Sequence, residues 1–310
     1  MRRLAAFAVP NPLCSSRVPL GAVPERANPV LSDVEGGERL GALTVRGSAS
    51  LVFTICLVGL VTPAWAVTAR DLLDQVRHLS ETTRKWNDRV QHLRLRIVDR
   101  RGGERTRTLV IYTKKYPEDR NRTLLFFESP PEVKGVGFLQ WADSHAKDEQ
   151  WLYLPELKRV RQISAGAKHE SFVGTDFSYD DLAIISQITE WTANDARTDL
   201  VRDEQLDGRA CHVIEYAPTG KDLTYGKILD WLTADDLTML KFEMYDKSAR
   251  LEKVLTLSDI RKLGEIPTAF HMEMQNVQGG SHTVVDFSEI RYDTGQPDDR
   301  FTQRALEHGL

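Results

Sequence analysis

Cysteine is scarce in this chain. Its 310 residues hold three, Cys14, Cys56 and Cys211. If the N-terminal region is removed only Cys211 remains, and no disulfide can form within the chain. That count permits an oxidising compartment without requiring one. Neither sign of charge dominates, with 41 basic against 45 acidic residues and a net charge of -4. Such a balance argues against a nucleic-acid-binding surface. Long apolar runs are missing as well. The longest, from Ala49 to Val61, falls short of the ~20 residues that span a bilayer. There is no HExxH, CxxC, GxSxG or phosphate-loop motif, and the histidines are scattered. A zinc centre, a serine hydrolase and a nucleotide hydrolase therefore have no support, and no cofactor is expected. Residues 67–310 contain no internal repeat, heptad pattern or low-complexity tract.

What is present begins with a leader. Residues 1–44 are rich in Pro, Gly, Arg and Ser and lack a sustained hydrophobic period. They read either as a disordered extension or as sequence that is not translated, with initiation at Val45. Residues 45–66, VRGSASLVFTICLVGLVTPAWA, have the layout of a secretory signal. Arg46 supplies the positive start, Ala49 to Val61 the apolar core, and Ala64-Trp65-Ala66 the small-x-small cleavage site. Cleavage after Ala66 starts the mature chain at Val67. Bulky Ile55 precedes Cys56, where lipid attachment normally wants a small residue, so the mature protein reads as soluble.

From Val67 to Val90, Leu72, Val76, Leu79, Trp86 and Val90 recur near a period of 3.6, which predicts a helix with one apolar stripe. From Gln91 the period becomes two. Leu93, Leu95 and Ile97 alternate with Arg94 and Arg96. Arg101-Gly102-Gly103-Glu104 is a hairpin signal, and Leu109 and Ile111 alternate on the return strand. Strands follow at Thr123–Glu128 and Val136–Trp141, a helix from Asp180 to about Trp191, and strands at Ala210–Tyr216, Lys227–Leu232, Met239–Tyr245, Lys253–Ile260, Ala269–Val277 and Thr283–Tyr292. Asp298 to Leu310 forms a short helical turn. The expected fold is mainly β (α+β), with about ten or eleven antiparallel strands and two main helices. So many strands must close, curl or stack, because open edges invite aggregation.

The stretch from Asp148 to Leu182 is the most distinctive. Trp151, Leu152, Tyr153 and Leu154 favour a strand, Pro155 ends it, and Lys158 to Ile163 reads as the return arm of a hairpin. The segments QWLYLPELKRVRQI and FVGTDFSYDDL resemble the outer membrane lipoprotein-sorting protein family, periplasmic proteins similar to the LolA/LolB carriers. VDRRGGERTRTL, ESPPEVKGVGFLQW and FTQRALEHGL extend the likeness over residues 70–310. The resemblance implies a LolA-like fold, a strongly curved antiparallel sheet forming an unclosed half-barrel covered by helices. Residues 67–310 are then one lipid- or lipoprotein-binding domain. It implies a periplasmic carrier, not an enzyme, that holds lipid or lipoprotein acyl chains in an apolar cavity for outer-membrane lipoprotein sorting or lipid transport. An inner-membrane transporter of the RND/MMPL type is the partner it implies. The alternative is a periplasmic lipid-sensing or transporter-accessory module, which uses a similar half-barrel.

Candidate residues have plainer explanations beside them. Asp176, Asp180 and Asp181 could bind a metal or act as acid and base, but they also suit capping of the following helix. Cys211 and His212 could be nucleophile and base, yet neighbours on a strand point to opposite faces. Lys158, Arg159 and Arg161 could meet an anionic headgroup or guard a sheet edge. Trp151 and Tyr153 share one strand face, and Leu152 and Leu154 the other; one pair lines the cavity while the other packs beneath a helix. Leu93, Leu95, Ile97, Leu109 and Ile111 are expected to face the ligand, with the hairpin pairing Leu95 and Ile97 to Leu109 and Ile111.

Overall fold

Side-chain alternation sets in at Asp88 and continues, with one interruption, to Tyr292, which lays down thirteen antiparallel strands. They were located in a computed structural model that describes residues 67–118, 120–143, 148–220 and 223–309. The extension expected at 1–44 and the signal expected at 45–66 lie outside the described residues. The first six strands are β1 (Asp88–Val98), β2 (Glu104–Tyr116), β3 (Arg120–Ser129), β4 (Gly137–Asp143), β5 (Glu149–Leu154) and β6 (Arg159–Gln162). After the interruption come β7 (Ala196–Leu206), β8 (Arg209–Pro218), β9 (Tyr225–Thr233), β10 (Met239–Asp246), β11 (Leu251–Leu263), β12 (Ile266–Asn276) and β13 (Ser281–Tyr292). Each pairs with its neighbour in sequence, except that β6 and β7 do not pair and β1 pairs with β13, so one sheet runs from β6 through β1 and β13 to β7 at the other end. The sequence reading of ten or eleven strands fell short chiefly at β7. Its ARTDLVRDEQL is an end strand with polar side chains on both faces, so it carries no clear alternation.

Three α-helices occur among the described residues: α1 (Ala69–Glu81), α2 (Tyr179–Gln187) and α3 (Gln303–His308). The amide of Asp71 donates to the Thr68 hydroxyl at 3.2 Å, and the Asp71 carboxylate accepts from the Thr68 amide at 2.9 Å, a reciprocal cap that starts α1. The helix expected over 67–90 stops at Glu81. The β-branched pair Thr82-Thr83 disfavours another turn, and Val90 belongs to β1 instead. Trp86, between the two elements, stacks against Tyr292 with ring centres 5.6 Å apart.

Alternation divides the apolar residues between the two sheet faces. The larger cluster takes a buried residue from every strand except β6, and from α1, α2 and the 163–195 connection. On the opposite face α3 covers the β1–β5 half. Phe301 and Leu306 are fully buried there among Val90, Val110, Leu124, Leu139 and Trp151. Each such side chain contributes about 1.5–3 kcal/mol. Among the described residues no helix packs into the apolar cluster on the β8–β10 half of that face. Trp231 is flanked by Lys241 at 4.5 Å and Arg202 at 5.5 Å. Those two cations pair with Glu243 at 2.7 Å and Glu204 at 2.6 Å. No helix among the described residues is long and apolar enough to cross a membrane.

Candidate ligand-binding face and its polar anchors

Five of the expected positions come together on the larger apolar face. Leu93, Leu95, Ile97 and Leu109 are buried in its cluster, and Ile111 is half-buried against it. The pairing differs from expectation. Leu93 faces Leu109 and Gln91 faces Ile111, whereas Leu95 and Ile97 sit opposite Arg107 and Arg105. The hairpin closes as a tight turn, with the Asp99 amide bonded to the Gly103 carbonyl, which moves the partners of Leu95 and Ile97 by four residues from the expected pairing. Leu257, Met272 and Phe287 on β11, β12 and β13, with Leu182 and Ile185 on α2, are also half-buried against this cluster. They are among the apolar residues of the face that remain partly open.

The other five positions lie elsewhere. Trp151 and Tyr153 point to the opposite face. There Trp151 meets Trp141 edge-on at 5.0 Å, and both pack near Phe301 and Leu306. Leu152 and Leu154 are the pair that joins the larger face. Lys158, Arg159 and Arg161 are exposed on and beside the end strand β6. Arg161 stands opposite Leu152 and Arg159 opposite Leu154, so these two rise from the leucine side of the sheet.

The connection between β6 and β7 crosses the larger face and is held by buried polar bonds. Asp181 closes a reciprocal cap with Ser178, as capping predicts, its carboxylate accepting from the Ser178 amide at 2.7 Å. It does more than cap. Its oxygens also accept from Tyr225 of β9 and Lys253 of β11, each at 2.6 Å. The Asp181 side chain is 0% exposed and that of Lys253 is 8%. Burial, and then the Asp181 charge, pushes the Tyr225 phenol well up. Asp180 accepts from the Thr224 hydroxyl, and burial raises its pKa. Asp176 does not cap; it accepts from Thr283 at 2.7 Å and Ser281 at 2.5 Å, which fastens the loop to β13. On the other side Gln150 of β5 donates to the Tyr179 carbonyl at 3.0 Å. Gln140 of β4 reaches Ser186 at 3.2 Å. No group of three metal-ligating side chains occurs among the described residues. Cys211 is buried on the face away from the connection, while His212 turns the other way and meets Asp203 at 2.6 Å.

Among the described residues neither Asp230 nor Arg107, both on the larger face, has an ion-pair partner. Asp230 of β9 sits opposite Ile214 and Phe242 and is fully buried. The Tyr216 hydroxyl is close enough to act on it electrostatically, yet neither group makes a hydrogen bond of ordinary geometry. Burial pushes the Asp230 carboxyl well above the usual carboxylate range, which favours its neutral form. The second group is Arg107 of β2, 8% exposed. One guanidinium nitrogen donates to the Val173 carbonyl, and the group lies over the Phe127 ring at 5.6 Å. Burial lowers its pKa, and the neighbouring Arg105 charge lowers it further. Sequence reasoning passed over Arg107, although it shares the parity of Leu109 and Ile111 and therefore their face.

Two clefts adjoin the covering elements. One, of about 230 Å³, opens beside α2 and is lined by Asp143, Asp148, Lys168, Asp180, Gln187 and Trp191, among others. The second, of about 430 Å³, lies between Leu72, Gln75 and Leu79 of α1 and a wall that includes His212 and Leu237. Neither is lined by the five expected face residues of β1 and β2.

The architecture is that of the LolA superfamily. A LolA superfamily protein from Nitrosomonas europaea is 18% identical and superposes with a TM-score of 0.59 over 77% of this chain and 99% of that one. A domain from Vibrio parahaemolyticus, described as an outer membrane lipoprotein-sorting protein, is 29% identical with a TM-score of 0.69. The match covers 76% of this chain and 97% of the other. A DUF1329 family protein from Desulfovibrio piger is 30% identical with a TM-score of 0.70, over 76% of this chain and 98% of the other. The family model described as "Uncharacterized protein" matches residues 119–308. The chain belongs to the DUF1329 family, and its resemblance to the lipoprotein-sorting group is borne out. No curated protein matches it.

Proposed function

We propose that the protein is a periplasmic carrier that holds a lipid, or the acyl chains of a lipoprotein, against the larger apolar face. It acts by binding and transfer, without catalysis. The observation that carries this reading is a two-sided one: that face is apolar on nearly every strand, and the elements covering it are fastened by a few polar bonds at their edges. The cover also packs apolar residues of α1, α2 and the 163–195 connection against that face, and a ligand tail takes their place when the cover lifts. The likeness to a lipoprotein-sorting domain over almost its whole length points the same way.

The reading requires a sheet curled into an unclosed half-barrel, and the reach of α2 supports it. Tyr179 is bonded to Gln150 of β5, and Asp181, two residues on, to Tyr225 of β9. Nine strand spacings separate β5 from β9 in the sheet order. In a flat sheet of ~4.8 Å spacing that is roughly 43 Å, far beyond the span of two side chains. In this reading the ligand tail lies along Leu93, Leu95, Ile97, Leu109 and Ile111, entering past the half-buried Leu257, Met272 and Phe287. Lys158, Arg159 and Arg161 meet anionic groups at the β6 end, and Trp151 and Tyr153 hold β5 in place from behind. Residues 45–66 act as a cleaved signal. An RND/MMPL-type transporter of the inner membrane is the partner.

Native mass spectrometry of gently purified protein tests the reading. The expected result is a chain of residues 67–310 carrying a co-purified lipid, which it then transfers between vesicles. Protein that never carries lipid and moves none between vesicles rules the carrier out; lipid held but not moved favours sensing.

A further inference from the structure

A buried guanidinium with no counter-ion is costly, because desolvation penalises the charge and nothing nearby repays it. Arg107 is such a group. Among the described residues it makes one hydrogen bond, from Nη1 to the Val173 carbonyl, and no ion pair. The neighbouring charge is that of Arg105, of the same sign and two residues away on the same strand face. Nε and Nη2 are left over. These two nitrogens form one edge of the guanidinium fork, the geometry that binds two oxygens of one phosphate in parallel. Gly174 lies beside Nη2, where a Cβ would stand at an ordinary contact distance of 3.8 Å. The preceding Val173 is held at φ +48°, a left-handed conformation rare for a β-branched residue. That conformation aims its carbonyl at Nη1. The flanking surface is apolar: Leu95 is the cross-strand neighbour of Arg107, Leu109 follows it on the same face, and Phe127 lies beneath it.

We infer that Arg107, assisted by Arg105, forms a subsite for the phosphate of an amphiphile whose tail lies on the adjoining apolar face. The inference rests on the carrier reading for the tail but not for the phosphate. An anion placed on the Nε–Nη2 edge supplies the missing counter-charge to both arginines. It also sets a polarity for the cargo, with the headgroup at the β1–β2 hairpin end of the face and the chain running toward Leu93 and Ile111.

Isothermal titration of three probes tests it: dodecyl phosphate and dodecyl maltoside, both below their micelle concentrations, and inorganic phosphate. The wild-type protein is expected to bind dodecyl phosphate at least about ten-fold more tightly than dodecyl maltoside at low salt, with the gap shrinking as salt is added. Arg107→Gln should abolish that gap while keeping dodecyl maltoside binding. If Arg107→Gln does not fold, Arg107→Lys keeps a charge but loses the fork, and should narrow the gap. Inorganic phosphate that binds as tightly as dodecyl phosphate, and is lost in the variant, supports the anion subsite and assigns it to the free ion. Equal wild-type affinity for the two dodecyl probes, or a gap unchanged in the folded variant, overturns the subsite. Failure of both dodecyl probes while phosphate still binds at Arg107 sinks the carrier reading alone.

Discussion

Asp230 and Asp181 are both buried carboxyls, and their surroundings set them to opposite uses. Asp181 accepts hydrogen bonds from a lysine, a phenol and a backbone amide. Asp230 has only a misaligned phenol beside it, and burial raises its pKa well above the usual carboxylate range. A carboxyl whose pKa rises on folding binds its proton more tightly in the folded state. Its presence therefore costs nothing extra below the unfolded value of about 4 and costs more as pH rises toward the folded value, by up to about 1.4 kcal/mol per pH unit. Asp230→Asn should melt like the wild type near pH 4 and several degrees higher at pH 8. A melting difference independent of pH would mean that the carboxyl is not held neutral. Lys253→Met strands a buried carboxylate and should cost about 3–5 kcal/mol in urea unfolding, with little response to salt because the pair is shielded from solvent. A loss below about 1 kcal/mol would place the pair among ordinary surface bridges.

Elements were legible in the sequence where a single period governs them. The β1–β2 hairpin, the strands from β8 to β13 and the start of α2 all announce themselves by alternation, turn residues or a cap. β7 does not, because an end strand with two polar faces has no inward side to mark. The end of α1 was misread because Trp86 and Val90 continue the helical spacing by coincidence. The side taken by Trp151 and Tyr153 depends on α3, about 150 residues later, which no local pattern reveals. The Asp181–Lys253 and Asp176–Thr283 anchors were hidden for the same reason. Arg107 could have been found, since its parity with Leu109 puts a charge on an apolar face. At β6 the exposed cations stand on the leucine side of an end strand. Reversing Lys158, Arg159 and Arg161 to glutamate together should weaken retention of anionic lipid, most at low salt. Unchanged retention with falling solubility would make them guards of the sheet edge instead.

At the scale of the whole molecule the question is whether the larger apolar face is a solid core or a surface that can accept a chain. The buried positions argue for packing: Leu95 and Leu109 are 5% and 2% exposed within a continuous cluster. A polar side chain there disrupts close packing and buries an amide without partners, so Leu95→Gln or Leu109→Gln should cost about 3 kcal/mol or more whatever the ligand. The half-buried positions behave differently. Leu257 and Met272 pair across β11 and β12 and keep part of their surface open. A glutamine there can turn its amide to water and should lower stability by only about 1 kcal/mol. It would nonetheless remove apolar area that a bound chain covers, worth ~25 cal/mol per Å². Leu257→Gln and Met272→Gln should thus empty the protein of lipid while its melting temperature moves by only a few degrees. Lipid occupancy by native mass spectrometry and melting are to be measured on the same samples. Occupancy that falls only in proportion to stability, at half-buried and buried positions alike, would mean that the face is a core throughout. The chain's likeness to the lipoprotein-sorting group would then be one of fold, with the binding surface lost.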